Sequence, residues 1–291
     1  MLKNKLKSNA KKIDLFIKSY INSQKKSMLT TPMNYGVLSG GKKIRSSVII
    51  ATGKLYKIKP SKLFYICGAV ECIHSYSLIH DDLPCMDNDK LRRGKPTAHI
   101  KFGEATAVLA GNSLLTLAFE MISDKKFNIN NNYKLLLIKK LAECSGHTGI
   151  AGGQELDLKY ERKRKKFNEI INMQRKKTGK LFSFCCFATG QIAGKNKNEI
   201  NRLCKIGEDI GLLFQLADDF LDIKGKSKYT GKTVHKDKKK GKSTVINLAG
   251  YDYAYNYAIK LKKKILRNLE KHGKNANDLR DIVNFTLERK Y

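Results

Sequence analysis

From Leu203 onward the apolar residues fall at Leu203, Ile206, Ile210, Leu213, Phe214, Ala217 and Leu221. That three–four spacing lines them up on one face of a helix, whereas a strand would scatter them over both faces. Comparable patterns run through residues 61–82, 104–122, 133–150, 166–190 and 250–270, and no alternating, strand-like run stands between turn signals. Breaks are expected at residues 36–41, 84–94, 152–153, 194–197 and 225–241, where glycine or proline interrupts the pattern. The chain therefore reads as all-α, with long helices and functional loops at their ends.

Nothing marks a boundary at which to divide it. The 291 residues include only 4 prolines, and no Ser/Gly-rich linker or internal repeat is present. A single domain over residues 1–291 is the expectation. Residues 1–20 carry charges throughout, unlike a signal peptide. No stretch reaches the roughly 18 uninterrupted apolar residues that span a bilayer. The seven cysteines form no CxxC pair and no Cys/His metal spacing, as free thiols in a reducing compartment would. These features predict a cytoplasmic protein without stable membrane insertion.

The formal charge of +32 has two readings. One is a polyanionic partner, nucleic acid or an acidic membrane surface. The other is compositional drift toward lysine and asparagine, joined to a small anionic substrate. Local basic runs occur at 162–166 and 238–240, but no RNA-recognition signature, zinc-finger spacing or basic zipper accompanies them. A basic nucleic-acid-binding helical protein remains the rival from another class. It predicts salt-sensitive DNA binding and gives no reason for the two acidic clusters described next.

The first cluster is Asp81-Asp82-Leu83-Pro84-Cys85-Met86-Asp87. Val70, His74, Ser77 and Asp81 fall on one stripe of a helix leading into it. Pro84 disfavours helical geometry at Leu83, so the helix should end here and allow Asp87 to turn back toward Asp81. The second is Asp218-Asp219-Phe220-Leu221-Asp222, in which Asp218 and Asp222 share a face extended by Gln215 and Gly211. Crowded carboxylates are stabilised by cations. Oxygen-only donors favour magnesium or calcium over zinc, and neither segment fits the calcium-loop pattern.

With these residues in place the chain closely resembles the bacterial short-chain isoprenyl diphosphate synthases. The first cluster, running on into Lys90-Leu91-Arg92-Arg93-Gly94, resembles that family's first aspartate-rich motif. The segment Phe214-Gln215-Leu216-Ala217-Asp218-Asp219 resembles the second. Further matches are Gly40-Gly41-Lys42-Lys43-Ile44-Arg45, Gly152-Gly153-Gln154-Glu155-Leu156-Asp157, Lys177-Thr178-Gly179 and Gly241-Lys242-Ser243-Thr244, so the resemblance covers essentially the whole chain in order. It implies a large helical bundle around a central cavity, a homodimer, and the head-to-tail condensation of isopentenyl diphosphate with dimethylallyl and geranyl diphosphate.

The resemblance also implies roles. Asp81, Asp87 and Asp218 would hold several Mg2+ ions on the allylic diphosphate, with Asp82, Asp219 and Asp222 as further ligands or supports and Asp157 and Asp237 behind them. Lys42, Arg45, His74 and Arg93 match positions that hold isopentenyl diphosphate. Arg92, Lys177, Lys232 and Lys242 match positions that contact the allylic diphosphate, with Lys177 counted among the catalytic residues. Thr178 and Gln215 would turn oxygen dipoles toward the carbocation, and the departing diphosphate can take the proton. Tyr76 sits about 7.5 Å down the helix from Asp81 at the usual rise. With Ser77 beside it, it resembles the bulky floor that stops growth at the farnesyl length.

Three positions depart from the pattern. Ser46 replaces a usual proline, Lys226 a common aspartate, and His235-Lys236 usually small residues. Within the same chemistry the rival is a geranylgeranyl or longer-chain synthase; a non-catalytic regulatory subunit is a third reading.

Overall fold

The computed structural model describes residues 2–224 and 241–288, and almost all the regular structure in them is helical. By its internal contacts the chain divides into two compact units, Met1–Ile50 with Lys59–Ile138, and Ala51–Ile58 with Lys139–Tyr291.

The first unit contains α1 (Leu2–Ser23), α2 (Thr30–Val37), the start of α3 (Ile44–Leu55), α4 (Phe64–Asp81), α5 (Ala98–Phe102), α6 (Glu104–Ser123) and the start of α7 (Asn131–Ser145). Four helices here, α1, α2, α3 and α5, lie outside the stretches where the periodicity is plain. In α1 the lysines alternate with a buried face of Leu6, Ile13, Ile17, Tyr20 and Ile21. Phe16 of α1 meets Phe64 and Tyr65 of α4, and Tyr65 stacks on Phe127 at 5.2 Å. α4 is buried on most sides, from Ile66 to Ile79, the mark of a central helix. It packs closely on α6 because Gly111 lacks a side chain: a Cβ there would lie 2.2 Å from Nε2 of His80.

α4 stops at Asp81, as Pro84 requires. The segment after it is more ordered than a plain loop. Leu91–Arg92 (β1) and Lys95–Pro96 (β2) form a two-stranded antiparallel hairpin. Its turn residues Arg93 and Gly94 have φ of 54° and 74°, both left-handed as a tight type I′ hairpin needs. α6 leaves the membrane expectation standing, since Asn112, Thr116 and Glu120 interrupt its apolar run. It is the one helix among the described residues long and apolar enough to cross a bilayer, at a mean hydropathy of 1.5, and 44% of that window is buried inside the structure.

The second unit contains the rest of α7, then α8 (Ile150–Tyr160), α9 (Phe167–Gln174), a π-helical turn (Arg175–Gly179), α10 (Lys180–Ile192), α11 (Lys197–Lys224), α12 (Val245–Ala249), α13 (Tyr251–Leu269) and α14 (Asn277–Glu288). α14 is another helix beyond the plainly periodic stretches. The break expected at 152–153 falls earlier, between Ser145 and Ile150, and α8 runs through both glycines. Those glycines serve close approach instead: a Cβ on Gly153 would meet the backbone N of Lys177 at 2.2 Å. The run expected over 166–190 is likewise split by the π-helical turn, a feature that re-aims side chains within a helix. Gly211 of α11 brings that helix against the turn, where its Cβ would lie 2.7 Å from Cα of Gly179. Around this contact Leu203, Leu212, Leu213, Leu216 and Phe182 are fully buried. Each such side chain contributes about 1.5–3 kcal/mol, so a charged residue in their midst needs partners.

Candidate active site

In the first unit the acidic segment folds back on itself. The N–H of Asp87 donates to the carbonyl of Asp81 at 2.8 Å, that of Asn88 to Leu83 at 3.0 Å, and that of Asp89 to Asp82 at 3.1 Å. The reversal expected from Pro84 is therefore present in the backbone. Asp81 and Asp87 are partly exposed at this helix end. Asp82 is buried at 3% exposure, and the guanidinium of Arg92 grips it: Nε lies 2.9 and 2.8 Å from its two oxygens, with Nη2 on Oδ1 as well. The hairpin thus fixes Arg92 on the motif.

The next residue of the hairpin turn reaches a different loop. Arg93 donates to the hydroxyl of Ser39 at 3.2 Å and to the carbonyl of Gly40, and its guanidinium lies where a Cβ on Gly41 would be. Only glycine, at φ 102°, admits that approach. Burial holds the His74 pKa well below its ordinary value, and the charges of Arg45, Arg93, Lys43 and Arg92 push it the same way. His74 is thus a neutral imidazole among converging cations. Lys42 is exposed beside Gly41. Such groups have the chemistry to hold an anion, since arginine forks and a lysine point charge both suit phosphate oxygens.

One turn below Asp81, Tyr76 is buried at 9% exposure and meets the edge of His80 at 5.7 Å between ring centres. Burial, and then Asp81, push its phenol up to about 12. His80 is itself within 3.1 Å of the Val108 carbonyl on α6. Ser77 donates its hydroxyl back to the His74 carbonyl at 3.0 Å.

In the second unit two chains of polar contacts meet the π-helical turn. Asp157 of α8 accepts from Lys177 at 2.8 Å and from Lys242 at 2.7 Å, and Lys242 also pairs with Glu161 at 2.9 Å. Burial raises the Asp157 pKa, but the two ammonium groups outweigh it and hold the carboxyl below its ordinary value. In the second chain the hydroxyl of Thr178 donates to Oε1 of Gln215 at 2.9 Å. The amide of Gln215 donates to Asp219 at 3.0 Å, and Gln174 donates to the other Asp219 oxygen at 2.9 Å. Asp219, 3% exposed, is therefore a buried acceptor for two amides. Asp218 is exposed and Asp222 half-buried.

The donor chemistry fits a hard cation. In the first unit Asp81 and Asp87, and in the second unit Asp218 and Asp222, offer accessible carboxylate oxygens without thiol or imidazole among them. Among the described residues no three metal-binding side chains converge as a ready-made cage, which suits an ion that takes part of its coordination from a substrate's phosphate oxygens. Lys232, Asp237, Lys226 and His235-Lys236 lie outside the described residues.

Sequence reasoning missed Gln174 and Glu71, and named Lys43 only as part of a motif. Gln174 ends an apolar helix, and Glu71 is the only acidic residue on α4 before the motif; a charged or amide group in an apolar stretch was the available signal. Gln154 was quoted only as part of a motif, yet it is 6% exposed with both amide atoms unsatisfied.

The sequence profile of the polyprenyl synthetase family matches residues 26–285. The chain is 40% identical over 262 residues to the farnesyl diphosphate synthase of Escherichia coli (strain K12), with 88% of each chain covered. Among solved structures it is similar to an apo FPP/GFPP synthase from Zymomonas mobilis, at a TM-score of 0.88 and 36% identity over 98% of both chains. It is also similar to a geranyltransferase from Helicobacter pylori complexed with magnesium and isoprenyl diphosphate, at a TM-score of 0.82 and 33% identity, covering 97% of this chain and 96% of that one.

Proposed function

Because the chain belongs to the polyprenyl synthetase family, we propose that it condenses isopentenyl diphosphate head-to-tail with dimethylallyl and then geranyl diphosphate to give (2E,6E)-farnesyl diphosphate. One observation carries the reading: the turn that returns Asp87 to Asp81 beside the cations around His74, in a chain 40% identical to a farnesyl diphosphate synthase.

The reaction breaks the carbon–oxygen bond of the allylic diphosphate. The double bond of isopentenyl diphosphate attacks the resulting allylic cation, and a proton then leaves to the departed diphosphate, restoring an alkene. Asp81, Asp87, Asp218 and Asp222 would hold Mg2+, with Asp82 and Asp219 behind them. When bound, the metal neutralises charge developing on the leaving diphosphate. Lys177 and Lys242, with Arg92, add fixed positive charge for the same group. Lys42, Arg45, Arg93 and neutral His74 bind isopentenyl diphosphate.

Thr178 and Gln215 have a defined polarity. The Thr178 proton is committed to Gln215, whose own amide protons point to Asp219. The hydroxyl therefore keeps oxygen lone pairs to present to a cation. Tyr76 closes the floor of the growing chain.

The family profile covers residues of both compact units, which supports one synthase domain. Val108 and Leu109 stay 37% and 52% exposed on the apolar helix α6, which supports a homodimer. All seven cysteines are free thiols, five of them buried, in keeping with a cytoplasmic location.

The decisive experiment is to incubate purified protein with isopentenyl and dimethylallyl diphosphates and magnesium, and to measure product length. A fifteen-carbon product is expected. Twenty carbons or more would replace the product but keep the chemistry, and no product would overturn the reading.

A further inference from the structure

Glu71 lies on α4 at 2% exposure, ten residues before Asp81. Its Oε1 accepts two hydrogen bonds from Ser46, from the backbone N–H at 3.3 Å and from the hydroxyl at 2.7 Å. Ser46 is the third residue of α3, and a first-turn N–H has no acceptor within its own helix. A carboxylate from a neighbouring helix therefore caps α3, and puts negative charge where the helix dipole favours it.

The second oxygen of Glu71 faces the loop before α3. Its Oε2 is 3.8 Å from Nζ of Lys43, which is also 3.3 Å from Asp14 and donates to the Val37 carbonyl at 2.6 Å. Lys43 is 6% exposed and has φ 45°, and it follows Gly40 and Gly41 at 92° and 102°. A left-handed lysine is strained and persists where its surroundings over-determine it. Drawing Lys43 inward leaves Lys42 exposed on one side of it and Arg45 beside the capped turn on the other.

Burying a carboxylate costs several kcal/mol before pairing, and a well-packed apolar residue often serves stability as well or better. The group is better explained by what it orients. We propose that Glu71 is a positioning residue for isopentenyl diphosphate: by capping α3 and holding Lys43 inward, it sets the loop that presents Lys42 and Arg45. Ser46 is its partner in this role, through a hydroxyl and an N–H that proline could not offer. The inference rests on the assignment of Lys42 and Arg45 to that substrate.

The test compares steady-state kinetics of Glu71→Gln, Ser46→Ala and Lys42→Ala with wild type, each checked by circular dichroism and thermal unfolding. Glu71→Gln should raise KM for isopentenyl diphosphate about ten-fold, as loss of a charged hydrogen-bond partner would. KM for geranyl diphosphate should stay within about two-fold, because uniform binding of one substrate is what is lost. Ser46→Ala, which keeps the N–H, should shift the same constant in the same direction by less. It also decides the matter if Glu71→Gln does not fold. Folded variants with unchanged KM for isopentenyl diphosphate would overturn the role. So would equal losses for both substrates that track the fall in unfolding temperature. If Lys42→Ala left that KM unchanged, the substrate assignment itself would fall, and the positioning role with it.

Discussion

The backbone N–H of Asp87 is bonded to the carbonyl of Asp81, six positions earlier, at 2.8 Å. On a continuous helix those residues would lie 240° apart around the axis. Ending α4 at Asp81 and reversing the chain through Pro84 puts both carboxylates at the same helix end.

Replacing either of these carboxylates tests that arrangement. Asp81→Ala or Asp87→Ala should lower turnover by about two powers of ten or more, since each power of ten is about 1.4 kcal/mol of lost charge stabilisation. Chelating divalent ions should stop wild-type turnover and leave helical circular dichroism unchanged. Full activity in the chelator would contradict a metal role for these residues.

Tyr76→Ala should lengthen the product beyond fifteen carbons. Tyr76 is buried against His80, so truncation opens space below Asp81. Chain-length analysis after complete turnover is the measurement, and an unchanged product would place the floor elsewhere.

Asp219→Ala should destabilise the second unit as well as slow the reaction. It would strip Gln174 and Gln215 of their shared acceptor. Buried donors left without partners cost about 1–3 kcal/mol each. A urea midpoint equal to wild type would show that the two amides find other acceptors.

Stability should fall on mild acidification through His74. Its folded pKa lies well below the ordinary 6.5, so below that pH the unfolded chain binds the extra proton. Unfolding free energy then declines as pH falls, by up to about 1.4 kcal/mol per unit from this one group. Between pH 7 and 5, His74→Gln should lose less stability than wild type. Equal losses in denaturant titrations at the two pH values would contradict the neutral assignment.

The helical class and the two acidic helix ends could be read from spacing alone, because a 3.6-residue period and a proline act locally; the other motifs were legible only through the family resemblance. The end of α4 at Asp81 follows from Pro84 in the same way. Other features depended on neighbours distant in sequence. Gly152 and Gly153 look like a break, yet α8 passes through them: the π-helical turn packs where a Gly153 side chain would be, and the His147 carbonyl where a Gly152 side chain would be. Asp219 looks like a third ligand of its cluster, and only its contacts with Gln174 and Gln215 reveal a buried acceptor.

The sequence by itself determined where charge occurs and where α4 ends, since those depend on residues a few positions apart. Tertiary structure alone decided which charges are satisfied: that Asp82 belongs to Arg92, Asp157 to Lys177 and Lys242, and Glu71 to Ser46 and Lys43. The reason is physical. A carboxylate's behaviour is set by whatever packs within a few ångströms of it, and in a folded chain most of those atoms come from residues far away along the sequence.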